Sequence, residues 1–166
     1  MDDLIRNFDE NYFSKEKLDQ IQKKLKIELP TSYIEFLTSF NGGYLIKDTL
    51  IVKKNNYHVF RLFGFTKLNY NDLDYNTSSS SMSSFPINFI PIGDNQGGDY
   101  YLLNLNEGNN YGKVYFWNHE RSNQKVNTLI ILVNNFETFL NSLFKDTKYD
   151  DIEVKITKTN GKFIIE

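Results

Sequence analysis

The feature that most constrains this chain is a change of period at Asn41-Gly42-Gly43. Before it, Tyr33, Phe36, Leu37 and Phe40 recur at i, i+3, i+4 and i+7, which sets four large apolar residues on one helix face. Pro30 suits the first turn of that helix and Thr31 can cap it. Asn41, Gly42 and Gly43 are residues that accept the left-handed backbone at a helix terminus. Beyond them, residues 44–46, 50–53 and 57–65 are rich in aromatic and branched residues, as strands require. A helical stripe followed by strands predicts the α+β class, with the helix face packed on a mainly antiparallel sheet.

The remaining elements follow from local signals. Ser14 can cap a helix over 14–25, whose Leu18, Ile21 and Leu25 share one face. Residues 2–12 read as a turn or short helix. Residues 69–75 are polar and turn-like, with room for one helical turn, and 76–84 (NTSSSSMSS) predict a flexible loop. Residues 85–92 read as a strand, but two prolines place it at an edge or make it short. With strands at 100–105 and 113–118 it forms an antiparallel meander, because the connections are too short for parallel crossovers. Residues 129–133 fit a strand or the approach to a helix that Asn134 can cap, with Glu137 three residues on. Phe136, Phe139, Leu140, Leu143 and Phe144 line that helix. A C-terminal hairpin, within 149–166, is predicted around Asn160-Gly161. Helices at both ends thus flank a central sheet, in a single domain over 1–166.

Composition excludes several functions. With 14 Phe and 11 Tyr, a chain of this size can bury roughly 70% of its unfolded surface. There are no cysteines, which removes disulfides and thiolate sites and fits a reducing, cytoplasmic setting. The start, Met1-Asp2-Asp3-Leu4-Ile5-Arg6, is acidic where a signal peptide is basic, and residues 129–133 are far short of the ~20 a membrane helix needs. A net charge of −2 with scattered lysines gives no basic stripe for nucleic acid.

No catalytic, metal or cofactor signature stands out. His58 and His119 have no companion ligands nearby in sequence, so a zinc site is not expected. Asp94, Asn95 and Asp99 invite a calcium reading, but their spacing does not match a calcium loop. The simpler reading is that Asp94 and Asn95 bond their own turn while Gly93, Gly97 and Gly98 supply unusual backbone angles. The GDNQGG run lacks the Lys-Ser/Thr ending of a phosphate loop, and no G-x-S-x-G is present. Asp72 and Asp74, like Asp150 and Asp151, read as solvated faces. Tyr100, Tyr101, Tyr111, Tyr115, Phe116 and Trp117 put aromatics on both faces of neighbouring strands. Either helices cover both faces, or some rings serve a protein interface. The residues favoured for partner contact are Asp94, Asn95, Asp99, Trp117, His119 and Glu120, at adjoining strand ends and turns.

Three segments together resemble the SUKH superfamily, in the branch related to the fungal Smi/Knr cell-wall-assembly regulators. They are LKIELPTSYIEFLTSFNGG (25–43), FIPIGDNQGGDYYLLNL (89–105) and GKVYFWNHE (112–120) with the following helix, so the likeness spans about 14–144. Leu29, Pro30, Tyr33, Phe36, Leu37, Asn41, Gly42, Gly43, Gly93, Gly97 and Gly98 carry the structural part of it. Asn104 stands where relatives often carry Asp, and the serine loop and C-terminal hairpin look like additions. The resemblance implies a non-enzymatic protein-binding domain without cofactor. Its bacterial members resemble immunity proteins that neutralise a toxin, such as a nuclease, encoded nearby; its fungal members resemble regulatory scaffolds. A third reading, a ligand-binding or enzymatic domain, requires Asp94, Asp99 and His119 to converge in one pocket.

Overall fold

The computed structural model describes residues 4–8, 13–26, 28–78, 85–121 and 129–147, and the backbone of 156–159 and 162–165. The first strand, β1 (Ile5–Arg6), precedes two helices, α1 (Lys15–Leu25) and α2 (Thr31–Ser39). Four short strands follow: β2 (Gly43–Leu45), β3 (Thr49–Val52), β4 (Asn55–His58) and β5 (Arg61–Leu62). A 3₁₀ turn (Asn69–Asn71) and helix α3 (Leu73–Ser78) lead to β6 (Phe89–Asp94), β7 (Tyr100–Asn104) and β8 (Val114–Trp117). After a second 3₁₀ turn (His119–Arg121) come β9 (Leu129–Val133), α4 (Phe136–Asn141), β10 (Ile156–Thr159) and β11 (Lys162–Ile165).

Seven strands form the central sheet in the order β1-β2-β5-β6-β7-β8-β9, and every ladder in it is antiparallel. The α+β class read from the sequence is the observed one. Two further hairpins, β3–β4 and β10–β11, stand outside that sheet.

Caps explain the helix limits. The Ser14 hydroxyl accepts from the Lys17 amide at 3.2 Å, and Asn135 accepts from the Thr138 amide at 2.7 Å. The second cap lies one residue later than Asn134, because Asn135 is the residue left extended before the first helical turn. At α2, Pro30 takes the cap position with no side-chain bond and Thr31 is the first helical residue. Its far end is closed by Asn41 (φ 51°) and Gly42 (φ 82°). Asn41 does more than turn the chain. Its buried side chain donates to the Phe65 carbonyl (2.9 Å) and accepts from the Phe65 amide (2.8 Å), so it imitates one rung of a ladder. Gly64 is the complement, since a Cβ there would collide with the Asn41 carbonyl.

Four expectations are corrected. Residues 5–6, placed in a turn or short helix, are an edge strand paired with β2. The run 57–65 is divided: β4 turns back on β3 through Lys53 and Lys54, both left-handed, while β5 joins the central sheet. The strand carrying Pro91 lies in the middle of the sheet, not at its edge. Proline is tolerated there because β5 pairs only with Gly93 and Asp94, and a bulge between Pro91 and Gly93 relieves the ladder toward β7. Asn76 and Thr77 are buried in α3, outside any loop; residues 79–84 of the expected loop lie outside the described residues. The C-terminal hairpin expected within 149–166 is observed as an antiparallel pair, Ile156–Thr159 with Lys162–Ile165.

The main core joins Leu18 and Ile21 of α1, Tyr33, Phe36 and Leu37 of α2, and Phe136 and Phe139 of α4 to Leu62, Ile90, Tyr101, Leu103 and Val114 of the sheet. Strand alternation turns Leu102, Tyr115 and Trp117 to the opposite face, where Phe85 and Phe89 cover them. Both faces of β7 and β8 are therefore occupied, the second by the approach to β6 and its first residue.

Candidate functional site

The turn between β6 and β7 is held by its own side chains. Asn95 Oδ1 accepts from the amides of Gly97 (2.8 Å) and Asp99 (3.1 Å), and its Nδ2 donates to Asp99 Oδ2 (2.9 Å). The Gln96 amide donates to Asp94 Oδ1 at 3.2 Å. Of the three glycines, only Gly98 has a positive φ, 95°; the other left-handed residue is Gln96 at 64°. Gly93 is needed for a different reason: a Cβ there would run into the Arg61 carbonyl.

These bonds decide which carboxylates remain available. Asp94 is buried and its Oδ2 takes two hydrogen bonds from Arg61, from Nε at 3.0 Å and Nη2 at 2.6 Å. Arg61 also donates to Asn71 Oδ1 (2.8 Å) and lies 5.2 Å from the Tyr70 ring centre, so the pair ties β5, β6 and the first 3₁₀ turn together. Asp99 instead receives His119: both the backbone amide (3.0 Å) and Nδ1 (2.8 Å) reach its Oδ1. A carboxylate acceptor makes Nδ1 the protonated ring nitrogen. The imidazole lies over Gly98, where a Cβ would stand 3.2 Å from two ring atoms.

The structure thus links Asn95, Asp99 and His119 in one cluster, with Glu120 exposed beside it. It turns Asp94 away toward Arg61. Trp117 is 5% exposed and packs edge-on against Phe85 at 4.9 Å, on the sheet face opposite Tyr101 and Phe116. Among the described residues no group of three or more His, Asp or Glu side chains is gathered as for a metal ion.

Next to this cluster is a cleft of about 580 Å³ that sequence reasoning did not anticipate. Its floor is aromatic: Phe116 lies edge-on to Tyr57 (5.0 Å) and to Tyr101 (5.7 Å), with Ile130 alongside. The rim carries Asn55, Asn56 and His58 from the β3–β4 hairpin, Asn95 and Asp99 from the glycine turn, and Asn118 and Arg121 after β8. Two contacts fold the hairpin over the sheet to make the second wall. The Tyr101 phenol donates to the His58 carbonyl at 2.8 Å, and Thr49 and Phe144 exchange backbone hydrogen bonds at 3.0 Å. Burial pushes the Tyr101 phenol well above its ordinary pKa, and nearby Asp99, Tyr57, Asp94 and Asp48 push the same way. Of these carboxylates, Asp99 is the one that lines the cleft. The sequence signals for the hairpin wall are the branched run 50–53 and the start of the run 57–65.

The sequence profile of the SMI1/KNR4 family (SUKH-1) matches residues 12–142. The chain is also 27% identical to an SPbeta prophage-derived uncharacterized protein, YokK, of Bacillus subtilis (strain 168), over 77% of this chain and 73% of that protein. Among the described residues no helix is long and apolar enough to cross a membrane. The helix ended by Asn41-Gly42-Gly43, the glycine turn and the β8 strand all lie inside the matched region, and the chain belongs to the SMI1/KNR4 (SUKH-1) family.

Proposed function

We propose that this protein is an immunity protein of the cytoplasm, which binds a cognate toxin domain and blocks it without catalysing a reaction. The observation that carries this reading is the cleft between the β3–β4 hairpin and the glycine turn. Its aromatic floor, its amide rim and its single guanidinium, Arg121, are the chemistry of a protein interface, where Tyr, Trp and Arg anchors inside a polar rim supply most of the affinity. The titratable groups nearby support binding over catalysis. Of Asp94, Asp99 and His119, Asp99 lines the cleft while Asp94 is turned to Arg61, so the three do not converge there as an enzymatic site would require. Membership of the family supports a protein partner.

The test is co-expression with each toxin domain encoded beside the gene. Rescue of growth by the wild-type chain is expected with one of them, and failure with all of them overturns the proposal. Two exposed rim substitutions, Asn56→Arg and Arg121→Glu, locate the contact. Each is expected to weaken toxin binding by roughly tenfold or more, with an unchanged thermal midpoint. Full neutralisation by the double variant would remove the cleft from the interface.

A further inference from the structure

The helix side of the molecule carries a second concave surface, built from different residues. Between α2 and α4 lies a groove of about 490 Å³. Phe36, Phe40, Leu140 and Leu4 make its apolar floor, and of these only Phe36 is fully buried. Phe40 and Leu140 pack on the core with one side and are open on the other. Glu35 on α2 and Glu137 on α4 line the same groove, both exposed, and neither makes a hydrogen bond or ion pair among the described residues. Among the described residues no lysine or arginine lines it.

We infer that this groove is a docking site for a basic amphipathic helix of a partner protein. Two roughly rod-like walls with an apolar floor suit a helix laid along them, with anchors at i, i+3 or i+4, and i+7. A carboxylate on each wall then selects lysine or arginine on both flanks of that stripe and rejects acidic partners. A second copy of this chain does not supply such a helix. Its lysine-rich helix is α1, with Lys15, Lys17, Lys23 and Lys24, but the apolar face of α1 is Leu18 and Ile21, already buried in its own core. The inference stands apart from the toxin reading, because it uses none of the cleft residues.

The experiment uses the full chain and two synthetic helical peptides sharing one leucine stripe, one flanked by lysines and the other by glutamates. Fluorescence anisotropy is expected to show binding of the lysine peptide only, with amide NMR shifts on α2 and α4. The double variant Glu35→Lys/Glu137→Lys should weaken that peptide by roughly tenfold or more and admit the glutamate peptide. Leu140→Asn should abolish binding of either peptide. Equal binding of both peptides, no binding to the full chain, shifts confined to the cleft, or binding that survives Leu140→Asn would each overturn the inference. So would self-association through the groove in sedimentation.

Discussion

At the scale of single residues, the chain shows how a side chain's neighbours settle its role when its type does not. Trp117 stands between Phe116 at the cleft floor and the exposed His119 of the second 3₁₀ turn, and its type suits an interface anchor. Strand alternation sends it the other way, into a five-residue cluster with Phe85, Phe89, Leu102 and Tyr115. Replacing a buried indole removes transfer free energy and leaves a cavity, so Trp117→Ala is expected to lower stability by roughly 3 kcal/mol. Glu120→Ala, exposed three residues on, should change it by less than about 0.5 kcal/mol. Urea unfolding of the two variants measures both, and a Trp117→Ala midpoint equal to wild type would place the indole outside the core. Asp94 teaches the same lesson for charge. A carboxylate at a strand end beside a glycine turn has the sequence appearance of a ligand, yet here it is the inward partner of Arg61.

At the scale of elements, what the sequence revealed was what is decided locally. The stripe of Tyr33, Phe36 and Leu37, the Ser14 cap and the Asn95 turn each depend on residues within one or two turns of chain, so their chemistry is visible in order. Pairing is not local. β1 and β5 are two residues each, too short to show a period, and exist because β2 and β6 offer them ladders. The Lys53-Lys54 hairpin lacks the Asn or Gly that usually marks two left-handed residues, so the wall it builds for the cleft was invisible. Half of the candidate site was therefore legible, and the half contributed by Asn55, Asn56, Tyr57 and His58 was not. Asn41 joins both scales: read from sequence as a helix stop, it is also a rung between α2 and the strand region. Asn41→Ala strands the Phe65 amide and carbonyl in the core and puts a Cβ without compensation at φ 51°. The expected loss is about 2–4 kcal/mol, larger than the few tenths expected if Asn41 only ended a helix. Chemical denaturation of Asn41→Ala beside Asn41→Gly checks this. Gly restores the backbone freedom but not the rung, so recovery of full stability by Gly would refute the bridging role.

For the whole molecule, the consequence of this packing is a pH limit set by the core. Tyr33 and Tyr101 come from opposite layers, α2 and β7, and both are 0% exposed. The Tyr101 phenol has the His58 carbonyl as acceptor, whereas Tyr33 Oη has no hydrogen-bond partner among the described residues. Burial raises both phenols above the ordinary tyrosine value, and for Tyr101 surrounding carboxylates add to it. The folded state therefore holds two protons that the unfolded chain releases near pH ~10. Their contribution to stability is complete below that value and declines as pH rises above it, by at most about 1.4 kcal/mol per tyrosine per pH unit. Ultraviolet titration of the phenolates, followed in parallel with far-ultraviolet circular dichroism, tests this directly. At least two of the 11 tyrosines should stay protonated until the dichroism collapses, and then ionise together with unfolding. Tyr33→Phe should delay the collapse to higher pH and also stabilise the protein at neutral pH by about 1 kcal/mol, because it removes a buried hydroxyl that nothing satisfies. Complete ionisation of all phenols with the dichroism intact would mean that solvent reaches the helix–sheet interface, and the core would be looser than its packing implies.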